Sequence, residues 1–249
     1  MKLIANGCSH TAGSEIDPNN LKFCHAKAWP RWVADRFNID YENIATPSAG
    51  NEQIARTTLL HISTLLNSGI LPSELFVVVA WSGFDRYEFW CPESQCHKSF
   101  TFNTKATPYI PKEPIKSYIE YRSLVEPENY SNYKSLYYVF QLSTFLEQHK
   151  IKYFFSNALQ TFELHTNFKA SDNLKNEYFE LLELYGKNRI DKHLGFFYSP
   201  HTFVNYLSKL PRTGLGAGGH WGEDGQKKYA ELFIQHIEAH RSTWGARIT

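Results

Sequence analysis

The stretch Leu75-Phe76-Val77-Val78-Val79-Ala80-Trp81 constrains this chain more than any other. It is an unbroken apolar run with three consecutive valines and no polar face to turn toward water, which predicts a central strand buried on both sides. Such a strand needs helices above and below it, the arrangement of a parallel α/β sheet. Shorter runs suit neighbouring strands at Lys2–Asn6, Ile39–Ala45 and Ile151–Ser156. Helical spacing occupies the intervals, at Ala28–Phe37, after Asn51 (Ile54, Ile62, Leu65, Leu66), at Tyr133–Gln148 and at Asp172–Tyr185. A last helix passes through Tyr229, Phe233 and Ile237. The alternation predicts a three-layer α/β/α sandwich on a mostly parallel sheet, and 249 residues suit one such domain.

Three of these strands end in small or polar residues, and open α/β sheets place their chemistry at that edge. The first runs into Gly7-Cys8-Ser9-His10-Thr11-Ala12-Gly13, a tight turn that lifts Ser9 out as a candidate nucleophile. A serine hydroxyl needs a base and an oxyanion site to be useful. His220 is the candidate base, because the glycine-rich loop Gly214–Gly225 can carry an imidazole to a distant strand. The second strand leads to Thr46-Pro47-Ser48-Ala49-Gly50-Asn51, where Gly50 or Asn51 could donate to an oxyanion, or Ser48 or Asn51 could cap the helix. The third ends in Ser82-Gly83-Phe84-Asp85-Arg86, and Asn157 follows the fourth at the same edge. Cys8 is the rival nucleophile, its thiol reactive if an imidazole lowered its pKa; the strand-to-turn geometry points Cys8 and Ser9 in different directions.

Other classes are disfavoured. Lys plus Arg number 26 against 25 Asp plus Glu, so net charge does not call for nucleic acid. The apolar core after Lys2 is too short for a signal peptide, and no window reaches the roughly 18 apolar residues of a membrane span, so a soluble, cytoplasmic protein with no membrane partner is expected. Four scattered cysteines suit thiols rather than a disulfide framework. Cys91, Cys96 and His97 invite a zinc reading, but no second pair follows at finger spacing, and no metal is expected. The glycine-rich loop has no Gly-Lys-Ser/Thr behind it, so it is not read as a phosphate loop, and no cofactor is expected. Residues 87–130 show no sustained period and read as an insertion or lid, while the turn-rich Gly13–Asn20 could overhang the site. His193 and His201 read as surface residues. The 18 Phe, 15 Tyr and 6 Trp supply core volume and could also line a carbohydrate cleft.

Taken in order, the blocks Gly7-Cys8-Ser9, Gly50-Asn51, Ser82-Gly83-Phe84-Asp85 and His220 with its following helix resemble the SGNH hydrolase (GDSL-type esterase and lipase) superfamily, phage-encoded members with a Gly-Cys-Ser-His-Thr start in particular. The resemblance implies a flavodoxin-like fold, Ser9 as nucleophile and His220 as base. It also implies oxyanion and substrate-binding groups at Gly50, Asn51, Ser82 and Asp85. The implied activity is hydrolysis of a small acyl ester, such as an O-acetyl group on a carbohydrate, through an acyl-enzyme. Two positions depart from the family pattern: Ala217 stands where its Asp precedes the histidine, and Phe84 where its oxyanion Asn stands. Asp85 and Glu223 are the nearest replacement carboxylates by motif. The same departures suit an alternative, a catalytically silent module binding a glycan or protein, in a virion or an assembly.

Overall fold

The computed structural model describes residues 1–17, 19–92, 95–101, 112–126, 129–162, 171–185, 201–209 and 219–239. Its centre is a parallel four-stranded sheet of β1 (Lys2–Gly7), β2 (Asp40–Asn43), β3 (Leu75–Trp81) and β6 (Lys152–Asn157), in the order β2-β1-β3-β6. The register sets Gly7 opposite Ala80 and Trp81 opposite Asn157, so these strands end together along one edge.

All seven residues of β3 are buried, and the period of two along the strand divides them between two cores. Val77, Val79 and Trp81 face α4 (Asn51–Asn67), α6 (Tyr130–Gln148) and α7 (Asp172–Tyr185), through Ile54, Ile62, Leu136, Val139 and Tyr178. Phe76, Val78 and Ala80 face α3 (Trp29–Phe37), α8 (Phe203–Leu207) and α9 (Glu223–Ala239), through Trp29, Val33, Phe203, Tyr229 and Phe233. This is the expected three-layer α/β/α sandwich. The expected second strand, Ile39–Ala45, is shorter, at Asp40–Asn43. Two short helices fall in stretches whose composition suggests only turns, α1 (Ser9–Ala12) and α2 (Leu21–Lys27), the latter capped by Asn20 Oδ1, which accepts from the Phe23 N–H at 3.0 Å.

Residues 87–130 are not the element-free stretch their composition predicts. They contain most of a hairpin, β4 (Arg86–Cys91) with β5 (Cys96–Thr101), and helix α5 (Lys112–Val125). The strands are mostly half-exposed, and Tyr87 and Phe100 are buried in a small cluster with Tyr118 and Ile119, which leaves little periodic signal. The hairpin is anchored on α4, where Arg56 pairs with Glu88 at 2.6 Å and Ser99 donates to Gln53 at 2.8 Å. Cys91 and Cys96 face each other across it, and the described cysteines are thiols, not disulfides. Among the described residues no cluster of metal-ligand side chains is present, and no helix is long and apolar enough to cross a membrane. Ala217, His193 and Gly214–Gly218 lie outside the described residues, and His201 is exposed.

Two buried groups fix the end of β1. Asn6 Nδ2 donates to Ile54 O, Thr57 Oγ1 and Thr58 Oγ1 at 3.1, 2.9 and 2.8 Å, joining the strand to α4. Gly7 leaves no space for a side chain, since a Cβ there would stand 2.2 Å from Thr11 Oγ1 and 2.9 Å from Ala80 O. The second of these is backbone in the middle of the sheet and cannot easily yield. Gly7→Ala is therefore expected to destabilise the protein by about 1–3 kcal/mol, the usual cost of overpacking, read as a lower urea midpoint with an unchanged slope.

Candidate active site

Ser9 follows directly from the Gly7 turn and is the first residue of α1. It is 5 % exposed, whereas Cys8 is wholly buried among the Trp29 and Tyr229 side of the core. Both candidate nucleophiles are buried, Cys8 inside the core and Ser9 at the start of α1. α1 ends on Gly13 in the left-handed conformation, and Ser14 N–H returns to Ser9 O at 3.0 Å. This closure turns the chain back over the serine and presents Glu15, which itself has a φ of 71°.

His220 arrives from the other end of the chain. Its ring lies 4.9 Å, centroid to centroid, from that of His10, the residue after Ser9. Its backbone N–H donates to Glu15 Oε2 at 3.1 Å, and its Nδ1 stands 3.3 Å from the same oxygen, at ion-pair distance but off a hydrogen-bond line. Both side chains are about three-quarters covered. Glu15, not Asp85 or Glu223, is therefore the carboxylate at the histidine. Glu223 is taken by Lys27 and Lys227, at 3.2 and 3.1 Å, and the Asp85 carboxylate lies against Gly83. Glu15 was legible only as a member of the turn expected to overhang the site; its distance in sequence from His220 hid the pairing.

The other expected site residues divide. Gly50 is the N-cap of α4, and a Cβ there would meet Arg86 O at 2.9 Å, so glycine lets the start of the hairpin close on the helix. The N–H groups of Ser9 and Gly50 meet no acceptor among the described residues. Asn51, expected as a cap or an oxyanion donor, serves instead as a strut. Its Oδ1 accepts from Ser82 N–H at 2.7 Å, and its Nδ2 donates to Ser135 Oγ at 3.0 Å and Ser82 O at 3.4 Å. Ser82 is wholly buried behind it. Phe84 makes no polar contact with its ring: it packs on Phe162, centroids 4.7 Å apart, while its N–H donates to Gln160 Oε1 at 2.7 Å.

His10 was not singled out by the sequence, and it shapes the electrostatics of the site. It is 7 % exposed and packed between Phe203 and His220. Burial, then the charges of His220 and Arg86, push its pKa down to about 3. An imidazole that low is a poor base near neutrality and stays uncharged when its neighbour takes a proton.

The parallel sheet with helices on both faces is shared with solved structures. TesA superposes with a TM-score of 0.50 at 11% identity, covering 96% of this chain and 99% of its own. The esterase EstA from Pseudoalteromonas sp. gives 0.48 at 9%, covering 98% and 97%. An acetyl xylan esterase, Est2A from Butyrivibrio proteoclasticus, gives 0.49 at 13%, covering 98% of this chain and 64% of its own. The protein has the SGNH hydrolase fold. Within it, the chain belongs to a family of unknown function (DUF6071), matched over residues 11–241, a span that opens just after His10 and includes Glu15 and His220. No curated protein matches the sequence.

The His10 environment has a pH consequence. Its folded pKa lies below the unfolded value, so between pH 6.5 and about 3 the unfolded chain binds a proton that the native state refuses. Stability should therefore fall as pH drops through that window. In His10→Gln this contribution disappears, and thermal melts between pH 7 and 4.5 are expected to show a shallower loss of Tm than the parent protein.

Proposed function

We propose that this protein is a serine esterase of the SGNH type that hydrolyses a small acyl ester, an O-acetyl group on a carbohydrate being the substrate class. The observation that carries the reading is the pairing of His220 with Glu15 directly beside the Ser9 turn. A base held by a carboxylate at the carboxyl edge of the sheet is what a serine hydroxyl requires to become a nucleophile. The carboxylate comes from the turn after the nucleophile, so the Ala217 position need not supply it.

In this reading His220 Nε2 takes the proton of Ser9 Oγ as the oxygen attacks the ester carbonyl. Glu15, held by the His220 backbone N–H and standing at ion-pair distance from Nδ1, stabilises the imidazolium that forms. The backbone N–H groups of Ser9 and Gly50 receive the developing oxyanion. Collapse of the tetrahedral species expels the alcohol, which takes the proton from His220. Water, deprotonated by the same ring, then releases the acid and restores Ser9. His10 remains neutral throughout and adds no second charge beside the imidazolium. Asn51 contributes at one remove, by holding the ends of β3 and α4 together.

Fluorophosphonate labelling followed by mass spectrometry tests the assignment. The expected adduct is on Ser9 and is lost in His220→Ala. Glu15→Gln is expected to fold normally and to lose roughly 100- to 10,000-fold in kcat on p-nitrophenyl acetate. A folded protein that gains no adduct on Ser9, or a Ser9→Ala variant with undiminished turnover, would show the reading to be wrong.

A further inference from the structure

Where the start of α4 meets the hairpin and α6 is a small pocket walled by Glu52, Arg86, Tyr87, Ser131, Lys134 and Tyr138. Two features join it to the proposed catalytic edge. Asn51 lines it as well, and Arg86 packs directly on Gly50. Its charges are unusual for this molecule. Lys134 has no hydrogen-bond or ion-pair partner among the described residues, and Arg86 has only a long bond, 3.4 Å, from Nη1 to Ala49 O.

Neighbouring cations are answered. Arg56 pairs with Glu88, and the buried Arg122 pairs with Glu126 and lies over the Tyr87 ring, 3.3 Å from its centroid. The pocket therefore holds two cations against one carboxylate, that of Glu52, which lies near the Tyr138 hydroxyl. Burial holds the Lys134 amine below the usual lysine range, opposed only in part by Glu52. A half-buried ammonium without a partner is costly unless something negative arrives to meet it.

We propose that this pocket is a subsite for a carboxylate carried by the substrate, so that the ester cleaved at Ser9 belongs to an acidic molecule of the uronic-acid type. The proposal rests on the esterase reading for the word substrate, and on the pocket for the word acidic. A guanidinium and an ammonium are complementary to one carboxylate, the first as a planar fork and the second as a mobile point charge. The interior is too small to admit a sugar ring. The sugar ring would stay at the mouth, beside Tyr138.

Equilibrium binding tests this without requiring turnover. The full chain is titrated with methyl glucuronide and with methyl glucoside, which differ at the C6 group, and ligand-observed NMR or calorimetry reads the affinity. The glucuronide is expected to bind at least about tenfold more tightly, to weaken with added salt, and to lose its advantage in Lys134→Met and in Arg86→Gln. Equal affinity for the two sugars, or a preference that survives both substitutions, would overturn the subsite. Inorganic phosphate displacing the glucuronide at equal concentration would overturn the carboxylate assignment. Should Arg86→Gln fail to fold because of its place against Gly50, Lys134→Met still decides the question. Turnover of p-nitrophenyl acetate, measured alongside, reports the esterase reading separately. Glucuronide preference without turnover would remove the esterase and keep the subsite, and turnover without preference would do the reverse.

Discussion

Burial of β3 on both faces is the constraint on which the rest of this structure depends. A strand with no polar side must be paired by hydrogen bonds at both edges and covered by helices above and below, because each unpaired buried amide or carbonyl is costly. Pairing to β1 on one side and β6 on the other meets the first demand, and the two helical layers meet the second. Parallel pairing then brings the carboxyl ends of all four strands to one edge. The candidate site lies along that edge.

The edge is held by small polar struts rather than by large interfaces. Asn6 binds β1 to α4 through three acceptors, and Asn51 binds α4 to the end of β3 and to α6. Each is nearly wholly buried, so each bond forms where water cannot compete. Close approach of backbone does the remainder. Gly7 and Gly50 occupy points where a single added carbon would strike main chain, and both lie within the blocks that surround the proposed catalytic edge. The glycines and asparagines of these motifs thus have a packing role that is separate from any direct part in chemistry.

The electrostatics of the edge show a division of labour between two adjacent imidazoles. His10 is dehydrated and kept neutral, while His220 is only partly buried and has a carboxylate at its Nδ1. Two histidines in contact could not both hold a proton without repulsion, and burial decides which one abstains. On the far side of Gly50, Arg86 and Lys134 give the neighbouring pocket a positive bias that is absent where Arg56 and Arg122 have their own carboxylates.

Much of this was determined by the sequence itself, for a local reason: strand and helix periods are set by neighbours a few positions apart. Leu75–Trp81 had to be central, Asp172–Tyr185 had to be a helix, and the small residues after each strand had to gather at one edge. The hairpin in 87–130 leaves little sequence signal because its strands are mostly half-exposed, which erases alternation. Asn51 was visible as a polar group in the correct block, but whether its amide faces a ligand or Ser82 depends on a partner 31 residues away. The carboxylate at His220 is the clearest case. Glu15 lies 205 residues from the histidine that it meets, and nothing in either local sequence encodes the other. Only the packed sheet, which folds the turn after Ser9 back over the edge and delivers the start of α9 to the same place, decides that they touch.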